Sequence, residues 1–163
     1  MVSPTEPDWQ REKPMRFWDP GRKLLKSIRD YQKCPDKSNF LTFIYKKIAV
    51  IRHRFWSVVT GADIPLNAQI AGGLLIPHPN GIVIHPESII GPNCLIFQQV
   101  TIGYKNGGIP QIGGHVDIGA GARVLGGITV GNHVCIGANA VVINDVADEC
   151  TVVGIPAQVI NKS

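Results

Sequence analysis

Ile112 to Ala147 reads, in sixes, IGGHVD, IGAGAR, VLGGIT, VGNHVC, IGANAV and VINDVA. Ile or Val opens all six rows, although helices repeat near 3.6 residues and simple strands near 2. A period of six is the signature of a parallel β-helix: one row makes a short strand and a corner, and three rows make a triangular coil. Stacked coils then place each apolar residue above its counterpart about eighteen residues earlier, so that ladders of Ile and Val fill the prism. Glycine often follows the leading residue, as at Gly103, Gly113, Gly119, Gly131 and Gly137, and permits tight bends at the corners.

The same period extends back to the middle of the chain. Ile64, Ile70 and Ile76 share one register, Ile84, Ile90, Ile96 and Ile102 a second, and Ile112 through Val142 the third. The two shifts between registers mark loops, a two-residue insertion around PHPNG and a Gly-rich excursion, GYKNGGIPQ. The expected fold is therefore all-β, a parallel β-helix over 61–163 with a C-terminal tail, preceded by an arm and short helices over 1–60.

That N-terminal region differs in composition. Thirteen of the 16 Lys and Arg fall between Arg11 and Arg54, which makes the first 54 residues net +7 and the remainder −3 in a chain of net charge +4. Such a split points to two regions with different partners. Residues 1–20, rich in Pro and charge, read as an arm that orders only by docking. Leu24, Leu25 and Ile28 form an apolar stripe on a helix ending before Pro35. A second helix begins after Ser38 or Asn39 and runs to Gly61, its C-terminal stop. Its apolar runs are broken by Lys46, Lys47, Arg52 and Arg54, short of the ~18 to 20 residues of a membrane span. This basic, aromatic-containing helix fits packing between subunits or peripheral contact with an anionic membrane surface, the former being the plainer reading. The first residues contain no apolar core of the kind a secretion signal needs, which predicts a cytoplasmic protein. Cys34, Cys94, Cys135 and Cys150 form no CxxC pair and read as reduced, mostly buried thiols.

The run GADIPLNAQIAGGLLIPHPNGIVIHPESIIGPNCLIFQQVTIG, the repeats after it and the closing VVGIPAQVI resemble the serine acetyltransferase family of hexapeptide-repeat acyltransferases over about residues 55–160. The resemblance implies a left-handed coil, against the right-handed rule for parallel crossovers. It further implies acetyl-CoA as donor, a homotrimer or multiple of three, and active sites between neighbouring subunits.

Acetyl transfer to an alcohol needs a base for the hydroxyl proton and a donor for the developing oxyanion. His78, flanked by prolines in IPHPNG, is a candidate base. Asp63, close to one coil earlier, is a candidate partner that would orient the imidazole and raise its basicity. Positions matching His78 and Asp63 form the catalytic pair of the family. The resemblance also places the acetyl-CoA groove along the C-terminal coils, where Gly103, Ala120 and Ala138 match small lining residues. Arg123, with Lys105 and Lys162, is a cation suited to the phosphates. Gln98 and Thr101 are candidates for polar contacts near the reaction centre.

His85, His115 and His133 raise the alternative of a γ-carbonic-anhydrase-like zinc site, since those enzymes share this fold. No His-x4-His is present, and zinc needs three or four converging ligands, so no metal is expected. His115 and His133, eighteen apart, should stack on adjacent coils. A catalytically silent β-helix scaffold is a third reading, and retained His78 and Asp63 speak against it.

Two departures from the family bear on the acceptor. An acidic residue that holds the amino group of serine is replaced by Pro77, and the loop NGGIPQ lacks the Arg that takes the carboxylate. Leaving a zwitterion's charges unmatched in a pocket costs about 1–3 kcal/mol. The expectation is an acetyl-CoA-dependent O-acetyltransferase acting on a sugar hydroxyl in surface polysaccharide biosynthesis, with serine as the alternative acceptor and no nucleic acid partner.

Overall fold

The computed structural model describes residues 2–35 and 39–162, the side chains of residues 161 and 162 excepted. Three parallel sheets form a left-handed prism. The first sheet stacks Gln69–Ile70, Ile89–Ile90, Gln111–Ile112 and Thr129–Val130. The second stacks Leu95–Ile96, Asp117–Ile118, Cys135–Ile136 and Cys150–Gly154, and the antiparallel strand Ala157–Lys162 closes it. The third stacks Val83–Ile84, Thr101–Gly103, Arg123–Leu125 and Val141–Val142, and Asp63 adds a rung through its bridge to Val83.

In each strand the leading residue of the hexapeptide points inward. Ile64, Ile84, Ile90, Ile96, Ile102, Ile118 and Ile136 are each at most 2% exposed. At about 1.5–3 kcal/mol for each such side chain, these ladders hold the coils together. Ladder spacing is longer than one perfect coil wherever a loop intervenes: Ile70 pairs Ile90, Ile90 pairs Ile112, and only then does Ile112 pair Val130 eighteen residues on.

Two corners turn through left-handed backbone, one at Gly73, Asn93, His115, His133 and Glu149, the other at Gly81, Gln99, Gly121 and Asn139. Asn93 uses its strained position to hold the N-terminal arm. Its Oδ1 accepts from the Asp8 N–H at 2.8 Å, and its Nδ2 donates to the carbonyls of Ser3 and Glu6 at 2.7 and 2.8 Å. The arm is thus ordered by docking on the coil.

The first coil would expose unpaired backbone at its edge. An ion pair covers it. The Arg29 guanidinium, paired with Glu12 at 2.8 Å, donates to the carbonyls of Ile70 and Ala71, while Glu12 Oε1 accepts from the N–H of Gly73 and of Leu74. Arg29 belongs to helix α1, Pro20–Gln32, whose buried Leu24, Leu25 and Ile28 join the same core. Helix α2, Phe40–Thr60, starts at Asn39, whose Oδ1 accepts from the Thr42 N–H at 2.9 Å, and stops at left-handed Gly61. It packs on α1 through the ion pair Arg52–Asp30 at 2.8 Å.

Candidate active site

The two extra residues of the first insertion cannot join a ladder, because the pairings on both sides of them are kept. Leu75 bridges Leu95 before the loop. After it, Asn80 is hydrogen-bonded to Gln99 of the next coil: its carbonyl accepts the Gln99 N–H and its Oδ1 the Gln99 Nε2, both at 2.9 Å. Gly81 then donates to the Gly61 carbonyl at 2.9 Å. Between these anchors Pro77 and His78 are pushed outward and exposed.

Asp63 lies on the lower rim of the same edge. Its N–H donates to the Ile82 carbonyl at 2.8 Å, and its own carbonyl accepts the Ile84 N–H at 3.0 Å. Its side chain is exposed, and no hydrogen bond joins it to His78 among the described residues. Both groups belong to the junction of the second and third sheets, with their side chains free to meet a ligand.

The same corner continues upward as a column. The Gly121 N–H donates to the Gln98 carbonyl at 2.9 Å and the Asn139 N–H to the Ala120 carbonyl at 2.8 Å, so Asn80, Gln98, Ala120 and Ala138 follow one another along the axis. Two of the small residues expected along the groove, Ala120 and Ala138, stand above the His78 loop. Gln98 Oε1 is buried without a hydrogen-bond partner. Such a group costs free energy unless something else satisfies it.

Beside this column runs the outer face of the third sheet: Asp63, Val83, Thr101, Arg123 and Val141 point outward one above another. Arg123 is exposed and stands three strand spacings, ~14 Å, above Asp63. At the far edge lies Gly103. Its φ is ordinary, and a Cβ built there would approach Leu125 Cδ2 and Thr101 Cγ2 no closer than 3.7 Å. Every other glycine either has a positive φ or would place its Cβ within 3.1 Å of a neighbour. The fold has no internal need for glycine at 103. Next to it, Lys105–Gly108, Leu125–Ile128 and Ile143 line an open groove of about 470 Å³ under the second insertion. Lys105 lies in that groove, and the side chain of Lys162 is outside the described residues.

The remaining histidines do not converge. His115 Nδ1 and His133 Nδ1 share a hydrogen bond at 2.8 Å on their own corner, while His85 Nδ1, between the third and first sheets, accepts from the Glu87 N–H. No group of three His, Cys, Asp or Glu suited to a metal occurs among the described residues. Of the four thiols Cys94 and Cys150 are buried, whereas Cys34 is half-buried and Cys135 exposed, because its position in the row faces outward.

Two polar residues beside the candidate site lie outside the repeat altogether. Asp19 and Arg22, at the start of α1, line a cavity of about 210 Å³ together with Leu75, Ile76 and Pro77, immediately before His78. They form an ion pair at 3.3 Å, and Arg22 Nε also donates to the Arg11 carbonyl at 2.7 Å. They arrive by the docking of the arm and α1, and the only sequence signal is the pairing of an acid and a base next to Pro20.

No family model matches the chain. It is 46% identical over 110 residues to a serine acetyltransferase of Synechococcus elongatus, covering 65% of this chain and 45% of that protein. A solved serine acetyltransferase in complex with cysteine superposes with a TM-score of 0.74 at 31% identity, over 90% of this chain and 56% of that one. Another, in complex with CoA, gives 0.70 at 33% identity over 88% and 57%. The chain belongs to the serine acetyltransferase family of hexapeptide repeats. It spans about half the length of the relatives it matches. The Asp19–Arg22 pair lies beside Pro77.

Proposed function

We propose that the protein is an acetyl-CoA-dependent O-acetyltransferase of the cytoplasm, assembled as a homotrimer or a multiple of three, and that L-serine is its acceptor. The observation that carries the acceptor is the cavity of about 210 Å³ next to His78, with a carboxylate and a guanidinium in its wall. Asp19 suits the ammonium group of an amino acid and Arg22 its carboxylate, which supplies from α1 both charges missing at Pro77 and in the loop.

In this reading His78 removes the hydroxyl proton, and Asp63 orients the ring and stabilises the imidazolium. The serine oxygen attacks the thioester carbonyl carbon, the C–S bond breaks as the new ester C–O bond forms, and the proton passes from His78 to the thiolate. Gln98 Oε1, buried and unpartnered on the same corner, is suited to accept a hydrogen bond from an N–H of the donor's amide chain. Gly103, Ala120 and Ala138 let the pantetheine arm lie close to the backbone, and Arg123 and Lys105 meet its phosphates. The unoccupied Cβ position at Gly103 also favours an enzyme over a scaffold, which has no use for it.

A sugar hydroxyl is the second reading, favoured by Pro77 and by the absence of a cation from NGGIPQ other than the preceding Lys105. Thiol release from acetyl-CoA separates the two. Serine turnover with kcat/KM near ~10⁴ M⁻¹s⁻¹, lost in Asp19→Asn and Arg22→Gln, supports the main reading. Serine-independent thiol release that rises with nucleotide sugars or oligosaccharides transfers the assignment to a sugar.

A further inference from the structure

Helix α2 buries only Ala49, Trp56 and Thr60, which face α1 and the coil. On the opposite side Leu41, Ile44, Ile48, Ile51, Phe55 and Val58 recur at intervals of three and four and stay exposed, Val58 at 84% and Ile51 at 67%. Phe17, 91% exposed, and Trp18, which packs edge-on against Trp56 near the C-terminal end of the helix, add exposed aromatic surface beside it. A continuous apolar stripe of this length on a folded chain requires a cover.

Charge decides between the covers. Phe40–Thr60 contains four Lys and Arg and no Asp or Glu. Arg52 is turned to Asp30, and Lys46 lies over the Tyr31 ring, whereas Lys47 and Arg54, two turns apart, line one flank of the stripe. In a two-fold contact between copies the same helix meets itself, and no carboxylate of the twin helix would answer these cations. An anionic phospholipid surface answers both features. It takes the apolar stripe into the headgroup boundary, aromatic rings at the interface, and Lys47 and Arg54 onto phosphates. Among the described residues no helix is long and apolar enough to cross a membrane, so the contact proposed lies in the plane of the surface.

We propose that α2, with Phe17 and Trp18, docks the protein on an anionic bilayer. This inference does not depend on the acceptor or the reaction. The test is co-sedimentation of the full chain with vesicles of phosphatidylcholine alone and of phosphatidylcholine with phosphatidylglycerol, read also by Trp fluorescence. Binding is expected to the anionic vesicles only, with a blue shift, and to weaken at least ~tenfold between about 0.1 and about 0.5 M salt. Lys47→Glu with Arg54→Glu should reduce it at least ~tenfold, as should Ile48→Glu with Ile51→Glu, both proteins keeping wild-type helix content and thiol release. The proposal is overturned if wild type ignores anionic vesicles, or if the Lys47 and Arg54 changes leave binding intact. It is equally overturned if light scattering shows a larger wild-type assembly that the Ile48 and Ile51 changes halve, which assigns the stripe to a second copy.

Discussion

Gly103→Ala separates what the coil needs from what a ligand needs. The new methyl would sit 3.7 Å from Leu125 Cδ2 and from Thr101 Cγ2, ordinary van der Waals contact, and the backbone there is not left-handed. Glycine within a strand costs about 0.5–1 kcal/mol relative to Ala, so the free protein should gain that much, a rise of roughly 1–4 °C in Tm for a chain of this size. The same methyl points into the groove proposed for the pantetheine arm. Overpacking by one methyl costs about 1–3 kcal/mol, which lowers CoA affinity roughly 5- to 150-fold. Opposite signs are therefore expected: a higher Tm alone, and a smaller Tm increment on adding CoA, with the affinity measured by calorimetric titration. Gly119→Ala is the control. Its Cβ would stand 2.6 Å from the Ala138 nitrogen and 2.8 Å from the Ile136 carbonyl, so it should lower Tm before any ligand is added. A Gly103→Ala protein that binds CoA as wild type does would remove Gly103 from the groove and refute the reasoning.

His78→Ala should lower kcat on the order of 10² to 10⁴ with CoA binding nearly intact, Asp63→Asn should lose part of that rate, and the double variant should be no slower than His78→Ala alone. Gln98→Leu removes a buried carbonyl oxygen that has no partner, so thermal stability should hold or rise, while affinity for acetyl-CoA, read by titration, should fall about 2- to 12-fold through the loss of one hydrogen bond from the donor's amide chain. Burial holds the His115 imidazole below its ordinary pKa; Asp117 opposes this, and His133 and Arg11 add to it. A depressed His favours the neutral fold, so stability should be full above about pH 6.5 and decline as the pH falls, and His115→Asn should flatten that acid limb in Tm-versus-pH scans. Burial pushes the Cys94 thiol up to about 11, so a thiol reagent on native protein at neutral pH should label exposed Cys135 before Cys94.

The prism was legible because its rule is local and repeated: an inward Ile or Val every six residues, with no other pattern to compete. Both helices were equally legible, from the stripe at Leu24, Leu25 and Ile28 and from the start and stop at Asn39 and Gly61. What the repeat could not show was the cover of the first coil by Glu12 and Arg29, or the arrival of Asp19 and Arg22 beside Pro77. Those contacts join segments some 40 to 60 residues apart through arm docking, which follows no period. Side-chain direction was legible in part. The outward position in the row exposes Cys135 despite its apolar character, while the stacking of His115 on His133 followed directly from their spacing of eighteen.

The two interruptions of the repeat locate the site better than any single residue does. A coil that gains residues must expel them at a corner, since its ladders on either side stay paired. The first expulsion carries His78 and stands where the second sheet passes into the third; the other, Tyr104 to Pro110, stands where the third passes into the first. Only the third sheet has an insertion at both edges. Its outer face bears Asp63, Thr101 and Arg123, the corner column of Gln98, Ala120 and Ala138 borders one side, and Gly103 with the groove of about 470 Å³ borders the other. A flat, regular prism has no concave surface of its own, and two ridges on one face make one. The breaks in the period, more than the period itself, therefore shape the candidate site.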